Sequence, residues 1–411
     1  MDTVNRFLPF LLIMTAVLTL VDYYFLKNWT RYVKSRNYNP VYYRAAWVIA
    51  VLMLAIAIFV NYYRLVTPQP SKLIIYLFIL TSLWYLPKLA IVPFLIIKDL
   101  YRSGKWAYYK IKRIFPHKEK APPKLDGKRR KTLQTLGWSM AGVPFLIAGK
   151  GIIHTPYNFR IHEVEIPLKK LPKELDGFTI AQLSDIHTGS FYSPRPVQDA
   201  IDIANSYRPQ LVMVTGDFVN FDRHEMDDFY KEFAKMKGEF GVYGCLGNHD
   251  HYMKGPEHDK LKAGINQSGI KLLVNENRTF DIEGTKIQLA GTDNSGFKQN
   301  FADYDRSLAG LDEEYPILLM CHDPTNWDKH IRGVREVDLM LAGHTHGGQI
   351  GFELFGKDLT PARIIYRQWA GLYKDKDQYL YINRGLGMTG PPIRIGIEPE
   401  VTIIKLRQMS V

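Results

Sequence analysis

Three apolar runs open the chain, residues 7–26, 45–63 and 73–97, each close to the ~20 residues that cross a bilayer as a helix. Tyrosine and tryptophan gather at their ends (Tyr23, Tyr24, Trp29, Tyr62, Tyr63, Trp84, Tyr85), as an interfacial aromatic belt requires. The first run contains Asp22 and the third Lys88, both expected near a helix end or against a neighbouring helix, where a charge reaches water. A fourth run, 136–149, is short for a span. It follows Lys128-Arg129-Arg130-Lys131-Thr132-Leu133, which is similar to a twin-arginine signal except that Thr132 stands where that pattern prefers Phe. The run therefore reads either as a short fourth helix or as the hydrophobic stretch of an export signal, and in both cases it carries the chain outward.

From about residue 159 the pattern changes to short apolar runs separated by polar or helical segments. Strands are predicted at 160–167, 178–184, 211–215, 241–246, 286–291, 316–321, 338–342, 379–383 and 401–406, with helices such as 195–206 and 225–236 between the early ones. That alternation predicts an α/β domain with a central sheet. The chain thus divides into three transmembrane helices (1–97), a basic cytoplasmic linker (98–134), a signal-anchor or fourth transmembrane helix (135–154) and an α/β domain (155–411).

Charge changes this picture in one respect. The formal net charge of +12 suggests a nucleic-acid binder, but residues 1–154 hold 23 Lys and Arg against 5 acidic residues, whereas 155–411 hold 30 against 36. The basic excess belongs to the apolar half, which argues for anionic headgroups and against a nucleic-acid groove. Lys27, Arg31, Lys34, Arg36 and Arg44 follow the first run and only Arg64 and Lys72 the second, which places the first loop in the cytoplasm. Residues 98–131 carry 13 Lys and Arg against 3 acids and fall on the same side. The α/β domain is then expected on the outer face of a bacterial cytoplasmic membrane. The two cysteines, Cys245 and Cys321, sit in apolar runs and are expected to be small core residues, not a disulfide scaffold.

Polar motifs stand where predicted strands end: Asp185-Ile-His187, Gly216-Asp217, Gly247-Asn248-His249-Asp250, His322-Asp323 and Gly343-His344-Thr-His346-Gly-Gly. Ligands of α/β sheets bind outside the carboxyl ends of strands, so the five groups can meet in one crevice. Residues separated by one, such as Asp185 and His187 or His344 and His346, point to opposite faces of a strand. They reach one site only where the strand has broken, and Gly343, Gly347 and Gly348 supply such a break. The donors are oxygen and nitrogen with no thiolate, which favours Mn, Fe or Zn over a structural zinc knot. Seven donors are too many for one tetrahedral ion and enough for two divalent ions sharing a carboxylate. His224, His251, His258 and His330 read as surface residues or as residues behind the ligands.

With these five motifs in this order, residues 128–411 resemble the calcineurin-like metallophosphoesterase superfamily, and within it the membrane-associated bacterial phosphodiesterases with a twin-arginine-like anchor. The resemblance implies a four-layer α/β/β/α sandwich behind the all-α transmembrane region. It implies that Asp185, His187 and His346 hold one metal, that Asp217 bridges, and that Asn248, His322 and His344 hold the other. His249 would point at the phosphoryl group without ligating. Asn220 stands where that family often has Asp. The stretch Asn383-Arg384-Gly385-Leu386-Gly387, followed by Pro391-Pro392-Ile-Arg394, looks like the C-terminal pattern of the same branch, in which an Arg faces substrate or forms a structural salt bridge.

The expected chemistry is hydrolysis of a phosphomonoester, phosphodiester or pyrophosphate by hydroxide held between two metals, assisted by His249, Asp250 and Arg384. Asp250 is expected to orient the imidazole of His249. With a membrane anchor and basic flanks, a lipid-linked phosphate is a natural candidate substrate, which the sequence itself does not identify. The competing reading is a membrane sensor or scaffold that keeps the metal fold without turnover; loss of a ligand or of His249 would favour it, and none is missing.

Overall fold

The structure, a computed structural model, describes residues 2–67, 71–112, 127–354 and 357–409. It forms two compact units, Met1–Lys150 and Gly151–Val411.

The first unit is helical: α1 (Asp2–Ser35), α2 (Val41–Val66), α3 (Lys72–Lys112), α4 (Gly127–Met140) and α5 (Val143–Ile153), the last running into the second unit. Four stretches, Leu11–Ser35, Val41–Arg64, Leu73–Lys112 and Lys131–Tyr157, are long and apolar enough to cross a membrane. Helix α3 continues through the first part of the expected basic linker, most of whose remainder lies outside the described residues. Asp22 and Lys88 each stand against a neighbouring helix, as expected, but are buried and do not reach water. They pair with each other across α1 and α3 at 2.5 Å, the ammonium lies over the Trp84 ring, and the Trp84 indole N–H donates to the same carboxylate. The two buried charges thus satisfy one another between two apolar helices instead of standing unpaired.

The second unit is built on two six-stranded sheets where the residue pattern by itself predicted one. The first runs Arg160–Leu168, Glu400–Gln408, Thr179–Leu183, Leu211–Thr215, Val242–Cys245, Ile270–Leu272, with Glu400–Gln408 antiparallel to Thr179–Leu183 and the other pairs parallel. The second runs Gly371–Asp375, Gln378–Ile382, Leu339–Ala342, Ile317–Met320, Thr285–Gly291, Glu276–Ile282, parallel except at its two edges. Central strands such as Leu211–Thr215 are buried along their whole length, so they read as continuous apolar runs and not as alternation. The alternation survives in which core each residue joins. Leu211 and Met213 point between the sheets with Leu318, Met320, Leu339 and Leu341, while Val212 and Val214 point outward under helices.

Helix α6 (Arg195–Ser206) lays Val197, Ala200, Ile201 and Ala204 on that outer face, the i, i+3, i+4, i+7 stripe of an amphipathic helix with proline in its first turn. Trp327, Ile331 and Tyr304 cover the far side of the second sheet. Three cores between four layers make the α/β/β/α sandwich. The helix expected at 225–236 is shorter and divided, a 3₁₀ turn Arg223–Met226 and a single turn Tyr230–Phe233. Cys245 and Cys321 are free and buried, as expected.

Candidate metal centre

Three strand ends of the first sheet and two of the second deliver the motifs to one place. Asp185 and His187 follow Thr179–Leu183, Asp217 follows Leu211–Thr215, and Asn248 and His249 follow Val242–Cys245. His322 follows Ile317–Met320, and His344 and His346 follow Leu339–Ala342. The two sheets are tied together beneath these loops. Gln182, wholly buried, donates to Thr215 and to the Ala342 carbonyl of the other sheet at 3.0 Å each, and the His344 N–H donates to the Asp185 carboxylate at 3.0 Å.

The strands break through the candidate ligands as much as through glycine. Asp185, His187, Asp217, His344 and His346 all take left-handed backbone conformations, with φ between 46° and 70°. Each such residue costs about 1–2 kcal/mol outside glycine, least for Asp and His, and the turn it makes is what lets residues two apart face one cage. Glycine is required where the backbone must touch a ligand. A Cβ on Gly343 would fall onto the Asp185 carboxylate, and one on Gly216, itself at φ +81°, would lie 2.7 Å from His322 Nδ1.

His187 Nε2 lies 3.1 Å from His346 Nε2, which is 3.3 Å from Asp185 Oδ1. Asp217 Oδ2 lies 3.5 Å from His187 Nε2 and 3.1 Å from His322 Nε2. Ligand atoms of Asp185, His187 and His346 come within 4.8 Å of one another, as do those of His187, Asp217 and His249 and those of Asp217, His322 and His344. Asp217 and His187 are each common to two of these groups. Asn248 Oδ1 is buried with no hydrogen-bond partner among the described residues, the state expected of an amide oxygen meant for a cation.

Backbone carbonyls set the tautomers. His187 Nδ1 meets the Val219 carbonyl at 3.1 Å, His322 Nδ1 that of Thr215 at 2.7 Å, and His249 Nδ1 that of Asn220 at 2.6 Å. Each carbonyl accepts the Nδ1 proton, so Nε2 is the ring nitrogen turned to the cage, the usual arrangement behind metal-binding histidine. Burial and the neighbouring His249 push His187 down to about 3, and burial pushes His344 down to about 4, which keeps both neutral and ready to donate. Burial alone would raise Asp217, but His322 and His249 hold its carboxyl well below the usual range. Burial disfavours charge on His322 as well, yet Asp217 outweighs it and pushes the imidazole up to about 10.

Two residues expected to serve catalysis are occupied otherwise. Asp250 does not touch the His249 imidazole; its carboxylate accepts the backbone N–H groups of Asp217 (3.0 Å), Phe218 (2.9 Å) and Gly247 (2.9 Å), fixing the two ligand loops to each other. Orientation of His249 falls to the Asn220 carbonyl instead. Arg384 forms a 2.6 Å ion pair with buried Glu400, and Arg394, wholly buried, donates to the carbonyls of Arg384, Gly385 and Gly387. Of the other histidines, His224 pairs with Asp227, His330 stacks on Tyr304, and His251 binds Asp293 at 2.5 Å beside His258.

The structure also brings in residues that no motif announced. Ser184 donates to Asp185 at 2.6 Å, and the Thr389 hydroxyl lies 3.2 Å from His187 Nε2 and 3.0 Å from His346 Nε2. The Tyr366 hydroxyl is 3.1 Å from His344 Nε2. Glu225, pushed up to about 7 by burial, accepts the Asn220 (2.5 Å) and Phe221 (3.0 Å) N–H groups and so braces the carbonyl that holds His249. Thr389 lies between the two halves of the C-terminal pattern noted above; the other three carry no sequence signal.

Fold and cage together are those of a metallophosphoesterase, and the chain belongs to the calcineurin-like metallophosphoesterase family. The model of the calcineurin-like phosphoesterase domain matches residues 178–348, and that of the 4TM phosphoesterase transmembrane domain matches residues 5–155. The chain is 30% identical to the uncharacterized metallophosphoesterase YkuE of Bacillus subtilis (strain 168), over 62% of this chain and 88% of that protein. It is 29% identical to the transmembrane protein with metallophosphoesterase domain of Danio rerio, over 64% of this chain and 61% of that longer protein. It is 27% identical to phosphodiesterase YaeI of Escherichia coli (strain K12), over 56% of this chain and 82% of that protein. The membrane-associated character of the first unit is shared with the transmembrane relatives.

Proposed function

We propose that the chain is a multi-pass membrane phosphohydrolase that cleaves a phosphomonoester, phosphodiester or pyrophosphate at a two-metal centre. The observation that carries this reading is the shared position of Asp217 between the Asp185/His187 side and the His322/His344 side of the cage, with the orphaned Asn248 oxygen completing the second set. Asp185, His187 and His346 would hold one divalent ion (Mn, Fe or Zn), Asn248, His322 and His344 the other, and Asp217 both. Two such ions supply Lewis acidity toward a phosphoryl group and a water acidic enough to attack at neutral pH. The protein's own part is to position. Carbonyls fix the ring nitrogens, Asp250 locks the Asp217 and Asn248 loops together, and His249 presents Nε2 to the reacting group. The relative named a phosphodiesterase supports the reaction class.

Purified full-length protein loaded with Mn²⁺ and tested on phosphomonoesters, phosphodiesters and pyrophosphates is expected to turn over at least one class, with loss in chelator and recovery on re-addition. Two bound metals with no turnover on any class would overturn the reading in favour of a sensor or scaffold.

The charged loops support a catalytic domain outside a bacterial cytoplasmic membrane. Alkaline phosphatase fused after Val411 is accordingly expected to be active and a fluorescent protein at the same point dark. Bright fluorescence with inactive phosphatase would put the domain in the cytoplasm.

A further inference from the structure

Between His346 and the edge strand Gly371–Asp375 the chain leaves the sandwich. It makes a two-stranded hairpin, Phe352–Leu354 with Lys357–Leu359, and then the short helix Pro361–Ile365. Phe352 and Leu359 are direct cross-strand partners, so their side chains share a face, and they are 60% and 43% exposed. Ile364 is 89% and Ile365 71% exposed. Single exposed apolar residues are ordinary on a protein surface, but four large ones on one short excursion are not.

A loose loop is not the cause, because the excursion is tied down on its inner side. Thr360 donates to the Gly347 carbonyl at 2.6 Å, Ala362 is buried against Gly348, and Thr345 donates to the Trp369 carbonyl at 2.6 Å. With Ala362 filling the inward position, Ile364 and Ile365 have no inward place to turn. The segment is also attached to the cage: Tyr366, next to Ile365, reaches His344 at 3.1 Å, and the half-exposed Phe297 ring stands 5.6 Å from the same imidazole.

The sequence of the tip, Arg363-Ile364-Ile365-Tyr366-Arg367 followed by Trp369, interleaves cations and aromatics with aliphatic side chains. That is the composition of a segment lying in a headgroup layer, with aliphatic groups among acyl chains, Arg toward phosphate and aromatic rings at the boundary. A bilayer is at hand, since the chain is itself membrane-associated through its apolar helices.

We propose that Phe352, Leu359, Ile364 and Ile365 dock on the bilayer surface, and that the substrate is an amphiphilic phosphoester whose tail stays in the leaflet while its phosphate enters the cage. The substrate half of this rests on the phosphohydrolase reading above; the docking half does not. Full-length protein in nanodiscs, with an environment-sensitive dye on Ile364→Cys or, as a second position, Ile365→Cys, tests the docking. Cys245 and Cys321 are buried and leave the introduced thiol as the labelling site. Doxyl-labelled lipid is expected to quench either dye at least about threefold more than a dye on Asp305→Cys, a position 89% exposed on the helix Tyr304–Leu308. Equal quenching overturns docking, and so does a dye at 364 that is shielded from water yet unquenched by lipid, which would mean that protein covers the face.

For the substrate, hexadecyl p-nitrophenyl phosphate in the nanodisc is compared with methyl p-nitrophenyl phosphate in solution, two esters with one leaving group that differ only in the tail. Ile364→Asp/Ile365→Asp is expected to lower turnover of the hexadecyl ester at least about tenfold and to spare the methyl ester. An equal loss on both overturns the amphiphilic assignment. No turnover of either ester by the unaltered chain would count against the phosphohydrolase reading and leave the quenching result standing.

Discussion

Asp217→Asn is expected to lower metal-dependent turnover at least about 10³-fold, a loss of about 4 kcal/mol in transition-state stabilisation, with the fold intact. The carboxylate lies within reach of His187 on one side (3.5 Å) and His322 on the other (3.1 Å), and its second oxygen already accepts the His249 N–H at 2.8 Å. Although burial alone would raise Asp217, the neighbouring His322 and His249 imidazoles hold its carboxyl well below the usual range. A neutral amide there keeps the shape and removes the charge that lets two dications sit close together. The substitution is a clean test because Asn tolerates the left-handed conformation at φ 54° as well as Asp does, so the loop has no reason to refold. Metal analysis and a melting curve on one preparation check it: one or both metal equivalents lost, with little change in the apo melting temperature. Wild-type turnover with two bound metals would refute the bridging role.

What the sequence disclosed and what it withheld differ by the range of the interaction. The five motifs were legible because each sits at the end of an apolar run, and runs such as Leu211–Thr215 and Leu339–Ala342 carry a signal that their neighbours cannot disguise. The split into two sheets was not, since strands of both sheets are equally apolar and only long-range pairing tells them apart. The residue-level reading attributed the broken strands to glycine. Gly347 and Gly348 are indeed left-handed, and the candidate ligands Asp185, His187, Asp217, His344 and His346 add left-handed backbones of their own, which composition does not report.

Asp250 misled because adjacency in sequence was read as contact. On a turn the carboxylate of the residue next to a histidine can face the other way, and here it faces four loop N–H groups. Asn220 escaped as an orienting group for the opposite reason: a backbone carbonyl has no letter in the sequence, so the 2.6 Å bond that holds His249 leaves no trace in a motif. The Asp22–Lys88 pair failed on distance, 66 residues apart in sequence and 2.5 Å apart in space. The helix Pro361–Ile365 was overlooked because five residues are too few to show a period.

His249→Ala is expected to keep both metals and lose rate selectively. The ring is fixed through Nδ1 to the Asn220 carbonyl, packed edge-on to His187 with centroids 4.7 Å apart and against Tyr252 at 4.6 Å, so Nε2 has one direction to point. A group held that firmly beside the cage can give a proton to a departing oxygen, an effect typically worth about 10²–10⁴ in rate. The assistance matters in proportion to the basicity of the leaving group. An alkoxide needs the proton, whereas a nitrophenolate leaves without it. Alkyl phosphoesters should therefore lose at least about 10²-fold more rate than nitrophenyl phosphoesters when the imidazole is removed. Because Asn220 and Glu225 still brace the loop, the backbone around Asn248 and Asp217 should hold, and metal occupancy with it. Should His249 instead act as a ligand, which its proximity to His187 and Asp217 makes geometrically open, the same substitution would remove a metal equivalent and slow both ester classes alike. Metal content and the two rate ratios on one preparation separate these outcomes, and equal losses would refute the proton-donor role.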